Sequence, residues 1–437
     1  MVKQVNNNPK GYYGWVIVFA SLVAMAVTVG TLHAFGVFFK PLLQEFGWTR
    51  ATTSGVFSLG GIIQGVVAVL VGLISNRVGP RKLVVVSGVL LGLSYVMGSW
   101  TTALWQLYLY FGLLQGGARG VPYNPLMATI ARWFTQRRGL AIGIALSGGG
   151  VGTIIFPILG NSLIERFEWQ TAFVIFGIIA GAMMIGAGLV VRARPPEIPR
   201  SAQGVESSRS DATVNAGNQQ EEQTPVSKVL SSRSFWLVIV MGFFTNLTVS
   251  MVFVHLVPYA TDQKIPAAVA ASFVSVIGVF NIVGKIGMGG FSDRYGLRWG
   301  MLICFGIGSL SLFWLNYASA LWMFYSFAVV FGLAYSGWMP LFPVLVMRIF
   351  GVGSMSAVLG FLTAANMIGS SVGAYVAGYL FDVTNSYQWA FFLAGMVLIV
   401  SIPCQLFVKS PASPLVSHAD DKKQEVGSKK LENGRQR

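Results

Sequence analysis

Charge is what this sequence has least of. Of its 437 residues only 10% are charged, against about 25% in soluble globular chains, which excludes an ordinary soluble enzyme. Cysteine occurs twice, at Cys304 and Cys404, each inside an apolar run. Two such thiols build neither a disulfide framework nor a metal site by themselves. Histidine occurs three times, and no His/Glu or Cys/His cluster has metal-ligand spacing. A Gly-Lys-Ser/Thr phosphate loop is missing, so ATP-driven work is not expected. No nucleophile–base pair stands out in the apolar runs. Neither catalysis nor a cofactor is therefore expected. What is abundant is apolar: hydrophobic residues make up 54% and the mean hydropathy is +0.65. The 52 glycines are spread through the apolar runs, as in packed transmembrane helices, where small residues let backbones approach.

About 20 apolar residues cross a bilayer as a helix. Twelve such runs are present, at 15–38, 52–75, 83–100, 104–131, 140–163, 170–191, 235–259, 267–290, 299–316, 320–347, 356–380 and 388–408. The first is too long for a cleavable signal and another follows closely. The formal charge of +15 would suggest a nucleic-acid partner in a soluble chain. Here the basic residues sit mostly in short loops, so no nucleic-acid partner is expected and the charge reads as orientation. The termini and even-numbered loops hold 24 Lys and Arg, and the odd-numbered loops hold 4. Both termini are expected in the cytoplasm of a plasma (inner) membrane protein. The lipid bilayer is its medium, and no obligate protein partner is apparent.

The chain resembles itself at a shift near 217. Arg77, Gly79 and Arg81 recur as Arg294, Gly296 and Arg298, and Arg132-Trp133-Phe134 recurs as Arg348-Ile349-Phe350. Glu168-Trp169-Gln170-Thr171-Ala172-Phe173 recurs as Ser386-Tyr387-Gln388-Trp389-Ala390-Phe391. The expected organisation is a six-helix half over 1–192, a polar cytoplasmic linker over 193–234, mostly disordered, a second six-helix half over 235–408, and a cytoplasmic tail over 409–437. Two parallel six-helix repeats with a site between them near the midplane are the plan of the major facilitator transporters.

Finer motifs carry the resemblance further. The run Gly72-Leu73-Ile74-Ser75-Asn76-Arg77-Val78-Gly79-Pro80-Arg81-Lys82 resembles the superfamily's loop 2–3 motif, with Asn76 where the family usually has Asp; the second copy keeps its acid at Asp293. The resemblance implies a gating role for Arg77, Arg81, Asp293, Arg294 and Arg298. Gly14-Trp15 opening the first span, and Arg132-Trp133-Phe134 followed by Arg137-Arg138-Gly139-Leu140-Ala141, resemble the monocarboxylate transporter signatures. His255-Leu256-Val257-Pro258-Tyr259 is similar to the seventh span of bacterial monocarboxylate and oxalate–formate carriers. An all-α membrane protein of the major facilitator fold, with twelve transmembrane helices, is the expected fold class.

All 15 acids fall in loops, tails or span ends, whereas Arg119 and Lys285 lie inside spans 4 and 8. A cation in a membrane costs at least ~2.5–3.5 kcal/mol and is a functional hypothesis by default. Arg119 stands about 22 Å into its span, at 1.5 Å per residue. Tyr123 shares its helix face, and Asn281 shares that of Lys285. Each cation thus has a neutral hydrogen-bonding neighbour, as a carboxylate clamp needs. The family's span-8 cation is usually Arg; the resemblance makes Lys285 the carboxylate anchor, Tyr335 a pocket residue and Leu32 an apolar wall. His255 is a further substrate contact, and His33, His255 and Lys285 are the candidates for carrying a proton. The expected function is a secondary carrier of small organic anions, proton-coupled and of the lactate or pyruvate type. An oxalate–formate type exchanger and a non-transporting membrane sensor are the competing readings.

Overall fold

The computed structural model describes residues 9–48, 50–193 and 225–408. Among them the chain is helical throughout. Helices α1 (Pro9–Phe46), α2 (Arg50–Val78), α3 (Pro80–Gly98), α5 (Arg138–Arg166) and α6 (Trp169–Val190) are unbroken. So are α7 (Arg233–Asp262), α8 (Ala267–Tyr295), α9 (Leu297–Leu315) and α12 (Gln388–Phe407). The expected spans 4, 10 and 11 look different. Span 4, α4 over 104–133, contains a π-helical stretch Tyr108–Gln115 between α-helical pieces. Spans 10 and 11 run on as Leu321–Thr384, broken only at Gly351, with φ 75° and ψ 169°. We number them α10 (321–350) and α11 (352–384). The loop expected over 348–355 is thus a one-residue break, because a single glycine at positive φ suffices to redirect the chain. Ten helices qualify as spans by length and apolarity. Dividing Leu321–Thr384 and counting α4 brings the total to twelve.

The ends of α2 and α8 show why the repeat exists in three dimensions. Gly79 (φ 86°) and Gly296 (φ 97°) occupy the same point of each half. Both stop one helix and start the next in a backbone region closed to side-chain-bearing residues. Packing repeats as well: α1 lies along α5 and α3 along α6, while α7 lies along α11 and α9 along α12. Small residues permit the close pairs. A Cβ at Gly148 or Gly152 would strike the carbonyls of Leu22 and Ala26, and one at Gly369 or Gly373 those of Phe243 and Leu247. The first six helices meet the last six through α2 against α11 and α5 against α8.

The last part of the expected linker carries a short helix, Val226–Leu230, whose Val229 is buried. Ser232 then caps α7 by accepting from the Phe235 amide. The rest of the linker, 194–224, and the tail from 409 lie outside the described residues.

Candidate functional site

The two buried cations sit in different places. Lys285 is 5% exposed and lies on the seam between α8 and α5. Its ammonium donates to the Leu146 carbonyl of α5 at 3.2 Å. A Cβ at Gly149 would come within 3.8 Å of the Nζ. One turn earlier, Asn281 is 7% exposed and lies within hydrogen-bonding reach of the Tyr335 hydroxyl on α10. The Tyr335 ring is held by Phe253, Phe331 and Trp338, with centroids 5.7 to 5.8 Å away. Lys285, Asn281 and Tyr335 therefore form one group on α8 and α10. The ammonium has donors to spare, since one of three protons is used by a backbone carbonyl.

Arg119 is 4% exposed and lies within the first half. Its Nη2 would come within 3.0 Å of a Cβ at Gly60 on α2, so the glycine makes room for the guanidinium. Its Nε and Nη1 have no hydrogen-bond partner among the described residues. Tyr95 of α3 and His33 of α1 are within its electrostatic range. His33 is exposed, Leu32 half-buried one residue before it, and Tyr123 half-buried one turn beyond Arg119. Among the described residues the two cations thus lie against different helices, Arg119 against α2 and Lys285 against α5.

His255 is 9% exposed. Its Nε2 faces the Ala374 carbonyl of α11 at 3.0 Å, and must therefore carry the hydrogen. The ring leans on Tyr387, centroids 5.3 Å apart. Tyr387 sits in the turn before α12, its phenol pushed above the ordinary range by burial first and then by Asp262 and Asp382. His255 is thus tied into the α7–α11 packing, whereas His33 is open.

At the end carrying the α2–α3 and α8–α9 turns, which we call the basic end, the residues expected to gate divide. The Asp293 carboxylate accepts from the backbone N–H groups of Gly139 and Leu140, both at 2.8 Å. These are unpaired amides of the first turn of α5, where the helix dipole favours an anion. Asp293 belongs to the second half and α5 to the first, so the contact joins the halves. Arg77, Arg81, Arg294 and Arg298 are exposed, with Arg294 over the Tyr295 ring at 5.4 Å.

Sequence reasoning missed the partner contact of the first half. Asn76 donates to the Gly353 carbonyl at 2.6 Å and accepts from Arg132 at 3.0 Å. Beside it, Ser75 donates to Ser356 at 2.7 Å. The signal was present in the Asn-for-acid exchange, since an amide both donates and accepts. The two quoted signatures of the first half also meet. Trp15 packs edge-on against Phe134 at 5.1 Å and Tyr13 against Trp133 at 5.4 Å.

Residues 15–290 and 249–432 match the profile of the Major Facilitator Superfamily. Mouse Monocarboxylate transporter 12 is 28% identical, over 90% of this chain and 85% of its own length. Rat Monocarboxylate transporter 13 is 28% identical, over 95% and 96%. Among solved structures, FucP in the outward conformation superposes with a TM-score of 0.69 at 13% identity, covering 91% of this chain and 99% of its own. The proton:xylose symporter XylE gives 0.68 at 13%, covering 92% and 97%. At these identities the two structures speak to the fold.

Proposed function

We propose, for a chain that belongs to the Major Facilitator Superfamily and is a multi-pass integral membrane protein, that it carries small organic monocarboxylates of the lactate or pyruvate type by alternating access, coupled to protons. The observation that carries this reading is Lys285: a buried ammonium on the seam between the halves, with no carboxylate side chain in contact among the described residues. An arriving carboxylate supplies the missing counter-charge, a strong charge-assisted contact. Asn281 and Tyr335 are placed to orient it, with Tyr123 and Leu32 as the facing wall. The names of the relatives support the substrate class.

The physical steps follow from the seam. In this structure the halves are joined at the basic end, which we assign to the cytoplasm together with both termini. The binding group then faces the outer side. Lys285 already spends one proton on the α5 carbonyl of Leu146. A bound carboxylate competes for that ammonium and loosens the tie between α8 and α5. Binding is thereby linked to the contact that must part for inward release. With no carboxylate side chain in contact with Lys285 among the described residues, the proton is carried by His33, which is open, or by Lys285 itself. Exchange of one anion for another on the same site is the second reading, favoured by the absence of a carboxylate near Lys285 among the described residues.

The test uses purified protein in sealed vesicles with an imposed inward proton gradient and labelled lactate. Accumulation driven by the gradient, competed by pyruvate, is expected. Uptake that requires an internal anion and ignores the gradient assigns the chain to exchange, with oxalate and formate as the competitors to try. No uptake of any of these acids contradicts the substrate class.

A further inference from the structure

Arg119 is left over by this mechanism, and so is its neighbour. Gln115 stands four residues earlier on α4, hence on the same helix face, and is 3% exposed. Its amide nitrogen also has no hydrogen-bond partner among the described residues. Both side chains line the same narrow crevice between α2 and α4, together with Val56, Phe57 and Phe111. The Nε and Nη1 of Arg119, with three N–H bonds between them, are thus buried in an apolar setting without an acceptor among the described residues. The hydroxyl of Tyr95 neighbours Arg119 and lies within hydrogen-bonding reach of the Gln115 side chain. It gives its own proton to the Thr31 carbonyl at 2.8 Å and brings no negative charge.

Natural interiors rarely leave one buried donor unpaired, and a buried charge is paired or neutralised. A water or a neutral carbonyl can accept from such donors, but only an anion also neutralises the buried guanidinium charge. The local backbone supports a built site. The π-helical stretch ends at Gln115, and such insertions shift the register of the residues that follow and concentrate at functional sites. Gly60 of α2 leaves room for the guanidinium where a Cβ would lie 3.0 Å from Nη2.

We propose that Arg119 and Gln115 form a second anion subsite, wholly within the first half and separate from Lys285. Its occupant is a single small anionic group, a carboxylate or a halide. Two sources supply that chemistry: a free inorganic or one-carbon anion, or the distal carboxylate of a transported two-headed acid. Only the second source rests on the reading of Lys285 as the anchor.

The purified carrier is titrated with sodium chloride, formate, acetate and malonate at constant ionic strength, with HEPES as the balancing anion, and its thermal unfolding midpoint is followed. A saturable rise with chloride or formate that Arg119→Gln weakens at least tenfold in apparent affinity, and Lys285→Gln leaves in place, establishes the subsite with a free anion. Alternatively, malonate stabilises at tenfold lower concentration than acetate, and loses that advantage in Arg119→Gln. This establishes the subsite with the distal carboxylate. Gln115→Leu, which keeps the charge, weakens the response in either case and carries the test if Arg119→Gln does not fold. Anion responses that are absent, or indifferent to both positions, overturn the proposal. Lactate uptake unaffected by Lys285→Gln would refute the anchor and leave a chloride or formate response at Arg119 standing.

Discussion

The two seams between the halves are built on one backbone plan with different chemistry. Asn76 and Asp293 are repeat partners, as are Ser75 and Ser292, and Gly72 and Gly289. On the α8–α5 seam a carboxylate takes two amides of a helix N-terminus, and Gly139 lies so close that a Cβ there would meet the Gly289 carbonyl. On the α2–α11 seam an amide bonds a carbonyl, and a serine pair stands where the other seam has Ser292 beside Gly139. One seam holds by charge and close backbone contact, the other by neutral hydrogen bonds. Charge-assisted bonds are roughly twice as strong as neutral ones. The α8–α5 seam should therefore dominate closure at the basic end, and Lys285 lies on that same seam.

The difference can be broken from its strongest element downward. Spin labels on Gln136→Cys with Tyr295→Cys report one seam, and on Val78→Cys with Val352→Cys the other, in a background lacking Cys304 and Cys404. Gly139→Ala should have the largest effect. Its methyl meets a backbone carbonyl and lies 2.6 Å from Ser292 Oγ, and such overpacking costs about 3 kcal/mol where the neighbours cannot move. The 136–295 distance should lengthen and uptake should fall more than tenfold; an unchanged distance distribution would refute the close-contact argument.

Asp293→Asn comes next. It removes the charge from two amide bonds, about 2 kcal/mol, which moves the closed population roughly thirtyfold, read from the same label pair. If the population stays put, the carboxylate is a bystander.

Asn76→Asp sharpens the comparison, because it restores the acid of the other seam by identity alone. The new carboxylate would face the Gly353 carbonyl that now accepts from Asn76. Closure at 78–352 should weaken by about 1 kcal/mol. A tighter seam would mean that α11 turns its amides toward the new acid. Ser75→Ala is the smallest change. It removes one neutral bond, about 0.5–1 kcal/mol, and should shift the 78–352 population at most fivefold. A larger shift would make the serine pair, and not Asn76, the main neutral fastening.

Much of this was legible in the sequence, for definite reasons. Spans show as long apolar runs because the bilayer demands them. Arg119 and Lys285 stand out because charge inside a span is rare, and both are buried. The one-residue break at Gly351 was not legible, since apolarity falls near Arg348 well before the helix turns. The π-helical stretch of α4 leaves no mark in apolar periodicity. The tie from Lys285 to Leu146 could not be foreseen either, because its acceptor is a backbone carbonyl on another helix and carries no residue signature. Gln115 passed unnoticed as a neutral side chain, and it matters only beside Arg119.

The central claim is that Lys285 holds the carboxylate of the carried anion. Its most direct test compares wild type, Lys285→Gln and Lys285→Arg in the same vesicles by labelled lactate counterflow, which needs no driving gradient. The account predicts transport in wild type, none in Lys285→Gln, and substantial rescue in Lys285→Arg. Counterflow by Lys285→Gln at the wild-type rate would contradict it.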